Sequence, residues 1–134
     1  MSDPMVLDSY ALIAFFEDEP GAEQVYDLLV GAEESGENLL MSVINLGEVW
    51  YSIARAYSVD TAEEKLLEIH EMAIQVVDVD WDLTRVAASF KAKGRLAYAD
   101  CFAAALAHDR KALLVTGDRE FRQLENEIRV LWIG

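Results

Sequence analysis

Four carboxylates stand in stretches that are otherwise uncharged. Asp8 is the only charge from Met5 to Phe16, Glu48 the only charge from Asn38 to Ala54, and Asp100 the only charge from Leu96 to Ala107. Asp118 directly follows the uncharged run from Ala112 to Gly117. A carboxylate carried into an apolar interior is costly unless it is paired, protonated or bound to a cation. Each has a plainer reading. Asp8, Asp100 and Asp118 stand near the starts of expected helices, where Asp is a common N-cap, and Glu48 could occupy the one polar stripe of a surface helix. Glu48 resists that reading most, because Ile44, Gly47, Trp50, Tyr51 and Ile53 surround it and the nearest base is Arg55. A common site explains all four together better than four coincidences do. Carboxylates side by side cannot all ionise without cations, and an all-oxygen donor set suits Mg2+ or Mn2+. Such ions lower the pKa of a water nucleophile and stabilise a leaving oxygen, which is the chemistry of phosphodiester hydrolysis.

Rival chemistries lack their residues. The chain has no GxGxxG, GxxxxGK[ST] or GxSxG motif and no Cys/His zinc spacing. His108 falls in the last turn of its expected helix, where a cation suits the helix dipole, and Cys101 reads as a small core residue. Trp50, Trp81, Trp132 and the Phe15–Phe16 pair read as core or interface. A phosphoacceptor signalling domain would show an acidic pair after the first strand, but Ser9 follows Asp8. An aspartyl-nucleophile phosphatase would want Asp-x-Asp, and position 10 is Tyr.

The elements that must position these acids follow from periodicity and punctuation. Met5–Leu7, Leu39–Met41, Val76–Val79, Ala112–Val115 and Ile128–Ile133 are strand candidates. Leu12, Phe15 and Phe16 fall on one helical face before Glu19-Pro20-Gly21 breaks it, and a second helix carries Val25, Leu28, Leu29 and Ala32 up to Ser35-Gly36. Ser42 caps a helix to about residue 57, Thr61 another, and Asp82 one that Gly94 stops near Lys93. An alanine-rich helix covers about 99–110, Thr116-Gly117-Asp118 is a turn, and 119–124 a short helix. Strands alternating with helices predict an α/β fold, a three-layer α/β/α sandwich on a central parallel sheet. Asp8 and Asp118 both follow strands, so both fall at carboxyl ends, where open α/β sheets bind ligands.

Composition sets the outer bounds. The 134 residues are one domain's worth, and 53% hydrophobic against 27% charged excludes a disordered tail. One cysteine excludes an internal disulfide. No uncharged run approaches a membrane span, and the opening MSDPM, with Asp3 and no base, is unlike a secretory signal. The expectation is a cytoplasmic protein. The net charge of −14 is uneven: residues 1–54 hold 11 acids and no Lys or Arg, while residues 55–134 hold all 11 bases among 14 acids. A polyanion is repelled by the first part and held only by the second. Besides a solubilising surface, high-salt adaptation would account for this acidity; a melting temperature that does not rise toward molar KCl excludes it.

The stretches VLDSYALIAFF at 6–16, SVINLGEVWYSIA at 42–54, LAYADCFAAALA at 96–107 and LLVTGDREF at 113–121 resemble, in order, the four signature stretches of PIN-domain ribonucleases. Within that family they are most similar to the small VapC-type toxins of toxin–antitoxin pairs, over nearly the whole chain. The resemblance implies a single PIN domain over 1–134 with Mg2+- or Mn2+-dependent endoribonuclease activity, and commonly a homodimer. Asp8, Glu48, Asp100 and Asp118 match its acidic quartet as catalytic and metal-holding residues. Thr116 matches the hydroxyl position that orients a carboxylate or water, and Glu120 matches a further acid of some members unless it is simply solvated. The resemblance also implies an antitoxin partner that masks the carboxylates. The acidic first part suits a basic partner segment, and Phe15, Phe16, Trp50 and Tyr51 are groove candidates if they are not plain core. RNA is expected along Lys91, Lys93 and Arg95 and along Arg119 and Arg122. The alternative function is a catalytically idle PIN-like module that acts through its partner.

Overall fold

Short β-branched and leucine-rich runs bounded by caps and turns become five strands, with a helix pair in each of the first three connections and a 3-10 turn in the last. The computed structural model describes residues 3–134. Its strands are β1 (Met5–Leu7), β2 (Leu39–Ser42), β3 (Ile74–Val77), β4 (Leu113–Thr116) and β5 (Arg129–Trp132). Its helices are α1 (Ser9–Phe16), α2 (Ala22–Ser35), α3 (Val43–Ala56), α4 (Val59–Glu71), α5 (Trp81–Lys93) and α6 (Tyr98–Arg110), with a 3-10 turn at Arg119–Leu124. All five strands pair in parallel, in the order β3-β2-β1-β4-β5. The chain therefore leaves β1 toward β2 and later returns on the other side as β4. That reversal beside β1 is the switch point at which such sheets leave a crevice at their carboxyl ends.

Alternation along the strands divides the core into two layers. Val6, Leu40 and Leu114 face a layer built with α5, α6 and the 3-10 turn. Leu7, Met41 and Val115 face the other, built with α1 to α4. Helix α6 is buried without interruption from Cys101 to Ala107, the pattern of a helix apolar all round. Its alanines let α5 and the sheet approach closely, and a larger side chain at Ala104 would overpack at a cost of about 1–3 kcal/mol. Asp100 enters this core at the first turn of that helix.

Several boundaries differ from the sequence expectation for identifiable reasons. β3 lies at 74–77 instead of 76–79 because its register pairs Leu39 with Ile74 and Ser42 with Val77. Ser58, not Thr61, caps α4, and Asp80, not Asp82, caps α5; the earlier residue has the extended backbone a cap needs, and its side chain accepts from Thr61 N–H and Leu83 N–H respectively. α6 begins after Ala97 with no side-chain cap, so Asp100 is not a cap. Asp8 and Asp118 are caps, of α1 and of the 3-10 turn. Gly36 closes α2 in the left-handed region at φ 76°, where a side chain is strained. No helix of the described residues is long and apolar enough to cross a membrane.

Candidate functional site

Asp8 follows β1 directly and is 1% exposed. Its Oδ1 accepts from Ala11 N–H at 2.9 Å, which fixes the start of α1. Its Oδ2 accepts from Thr116 Oγ1 at 2.5 Å. Thr116, the buried last residue of β4, also accepts from Asp118 N–H at 3.0 Å. One hydroxyl thus joins the ends of β1 and β4 and bonds to both aspartate residues. Asp118 Oδ1 accepts from Glu120 N–H at 3.0 Å, while Glu120 itself is exposed.

Glu48 is half-buried on α3. Its Oε1 accepts from Ser9 Oγ at 2.8 Å and from Asn45 Nδ2 at 3.3 Å. Asn45 is fully buried. Its amide also donates to the Ala99 carbonyl at 3.1 Å, and its Oδ1 accepts from Ser42 Oγ at 2.5 Å. Asn45 therefore ties the start of α3 to the residue before Asp100. Ser9 and Asn45 are the positioning residues that sequence reasoning missed. The available signal was Asn45 one helical turn before Glu48, an amide inside an apolar run.

The four acids lie in one electrostatic field. Burial pushes Asp8 from 3.8 up to about 7; the Thr116 and Ala11 hydrogen bonds pull against this, and the charges of Asp100 and Asp118 add to it. Burial likewise pushes Asp100 up to about 7, followed by the charges of Glu48, Asp118 and Glu120. No cationic side chain offsets either shift. Among the described residues no three His, Cys, Asp or Glu side chains form a ready metal cage. The donor set nevertheless fits a hard divalent cation. It is all oxygen, it repels itself, and Mg2+ keeps several waters and takes only one or two carboxylates at a time.

The basic residues named from sequence lie around the α5–α6 corner and the 3-10 turn. Lys91 Nζ donates to the Leu96 carbonyl at 2.8 Å. Lys93 pairs with Glu127 at 2.5 Å and lies over the Phe90 ring. Arg95 and Arg122 are exposed, and Arg95 N–H donates to Gln123 Oε1 at 2.9 Å. The Arg119 guanidinium lies 5.3 Å from the centre of the Trp132 ring. Away from these, Cys101 is buried in the core and burial pushes its thiol up, and His108 ends α6 against the Phe90 ring edge. Phe15, Phe16 and Trp50 are half-buried at the margin of the α1–α4 layer, whereas Tyr51 and Trp81 are exposed beside Arg55 and Arg85.

The chain is similar to known proteins in sequence and fold. The family model described as PIN domain matches residues 5–127. Over 110 residues the chain is 36% identical to a Ribonuclease VapC of Mycolicibacterium smegmatis, covering 77% of this chain and 82% of that one. Three solved structures share the fold. The DNA-bound VapBC of Salmonella typhimurium has a TM-score of 0.74 at 17% identity, covering 97% of this chain and 98% of that one. The promoter-bound VapBC2 of Rickettsia felis has a TM-score of 0.75 at 17% identity with the same coverage. The sarcin–ricin-loop-cleaving VapC20 of Mycobacterium tuberculosis has a TM-score of 0.70 at 15% identity, covering 89% and 93%.

Proposed function

The chain belongs to the PIN-domain family, and we propose on that footing that it is an endoribonuclease, the toxin of a toxin–antitoxin pair, that depends on a divalent metal. The observation that carries this reading is the coupling of Asp8, Glu48, Asp100 and Asp118 in one field at the sheet's carboxyl end, with none of the four in an ion pair among the described residues. The relative named as a ribonuclease supports the reaction class. Asp8, Glu48, Asp100 and Asp118 are the residues that would hold Mg2+ or Mn2+. When bound, the ion lowers the pKa of the attacking water and neutralises charge on the phosphate. Thr116 keeps the Asp8 carboxylate turned inward, and Ser9 and Asn45 do the same for Glu48. Catalysis is then positioning and charge stabilisation, with no nucleophile supplied by the protein. Arg95 and Arg122, exposed and without an ion pair among the described residues, would be the foremost phosphate contacts, ahead of Lys91, Lys93 and Arg119, which are engaged within the chain.

The partner is a cognate antitoxin, as in the VapBC complexes that share this fold. A basic antitoxin segment suits the 11 unopposed acids of residues 1–54. The apolar seam of Leu46, Trp50, Ile53 and Leu66 between α3 and α4 and a homodimer contact belong to the same proposal. RNA cleavage by the partner-free protein with Mn2+ or Mg2+, with EDTA, and by Asp100→Asn tests it. Cleavage that needs metal and disappears in the variant is expected. Metal-independent cleavage, or equal cleavage by the variant, overturns the metal-dependent reading. An intact antitoxin complex from a protein that cleaves none of a broad RNA panel favours the idle binding module.

A further inference from the structure

Tyr10 is the second residue of α1, 41% exposed, one residue beyond Asp8 and Ser9. Its ring is backed by Gly117, between Thr116 and Asp118. A Cβ at position 117 would run into the Tyr10 ring, and would also stand 2.8 Å from the Ile133 carbonyl oxygen. Gly117 is not among the residues of positive φ, so the glycine is required here by close approach and not by backbone conformation. The Cε1–Cζ side of the ring therefore packs directly on main chain at the end of β4. Its exposed part lines an open cleft of about 590 Å3 with Asp118, Arg119, Glu120 and Gln123. This cleft repels phosphate: it holds two carboxylates, and its one guanidinium lies over Trp132. Contacts to RNA in it beyond the metal then fall to uncharged groups, and besides the Gln123 amide the pinned Tyr10 ring is the aromatic surface that lines it. Single-stranded RNA is commonly gripped by bases stacked on such rings.

We propose that Tyr10 is the base-stacking residue of the site, taking an unpaired RNA base adjacent to the scissile phosphate. This rests on the ribonuclease reading. The test is binding of labelled, short single-stranded homopolymer RNAs of each base to Asp100→Asn, with and without a second change at Tyr10. Tyr10→Leu should weaken binding about tenfold and Tyr10→Phe by less than about twofold, since stacking needs the ring and not the hydroxyl. A single abasic position should weaken binding to the parent and leave Tyr10→Leu unaffected. Equal binding by the parent and Tyr10→Leu overturns the assignment while leaving the ribonuclease reading intact. Should Tyr10→Leu melt early, the abasic series on the parent decides, and a flat profile overturns the assignment. A parent that binds none of the RNAs overturns the ribonuclease reading and this assignment with it.

Discussion

The two halves of the acidic site are built differently. Asp8 and Glu48 are each held by two donors, Ala11 N–H with Thr116 Oγ1 and Ser9 Oγ with Asn45 Nδ2. Asp100 has no donor and no ion pair among the described residues, and Asp118 accepts only from the backbone of Glu120. The first half is preorganised by the protein. The second has no such partner, and in the proposed function a divalent cation would satisfy it, in competition with the protonation that like-charge crowding also favours. A purely structural set of caps would not divide this way, since Asp100 caps nothing.

The largest effect is expected on the unheld side. Asp100→Asn should lower metal-dependent RNA cleavage by more than about a hundredfold, beyond the 10–100-fold of outer-shell changes. The same variant should melt higher than the parent in EDTA and rise less on adding Mg2+, because one repelling charge and one ligand are both gone. A Mg2+-induced rise equal to the parent's would break the comparison at its open half.

On the held side the effects should be intermediate and accompanied by lost stability. Thr116→Val removes the donor to Asp8 and the acceptor of Asp118 N–H, a change expected to cost about 1–3 kcal/mol in denaturant unfolding and about 10–100-fold in cleavage. Thr116→Ser should restore most of both. Asn45→Ala should behave similarly through Glu48 and Ala99, with a milder loss in Ser9→Ala.

Acidity supplies a third contrast. Asp8 and Asp100 have folded pKa values raised from 3.8 to about 7. A raised acid favours the protonated fold, so its contribution is fully present below pH 3.8 and is lost as pH climbs through about 7. Melting in EDTA should therefore fall as pH rises across that window, less steeply in Asp8→Asn and Asp100→Asn. Saturating Mg2+ should flatten the fall, since metal favours the ionised form. The smallest effects belong to the basic corner. Arg95→Ala should reduce the salt slope of single-stranded RNA binding by about 0.7 for a lost phosphate contact, whereas Lys93→Ala, already paired with Glu127, should change it less.

The sequence made the acids legible because each stands alone in an apolar run, and made the sheet legible because caps and glycines punctuate short strands. The supports were hidden. The Ser9–Glu48 and Asn45–Ala99 bonds join residues 39 and 54 positions apart, so only the fold brings them together. Caps were misplaced where candidates occur in series, as with Ser58 and Thr61 or Asp80 and Asp82, because backbone geometry chooses among them. The lysines read as free from sequence because Leu96 O and Glu127 are neighbours only in space. Tyr10 entered the sequence reading only as the residue that excludes Asp-x-Asp; its packing against Gly117, 107 positions on, exists only in the fold.

The central claim is that an outside cation completes the unheld half. Anomalous diffraction from crystals soaked in Mn2+ at pH 8, above the raised values of Asp8 and Asp100, tests it most directly. The account predicts a Mn2+ peak among the carboxylates of Asp8, Asp100 and Asp118, absent in Asp100→Asn. Saturating Mn2+ that leaves no peak there, or one only on carboxylates elsewhere in the chain, would contradict it.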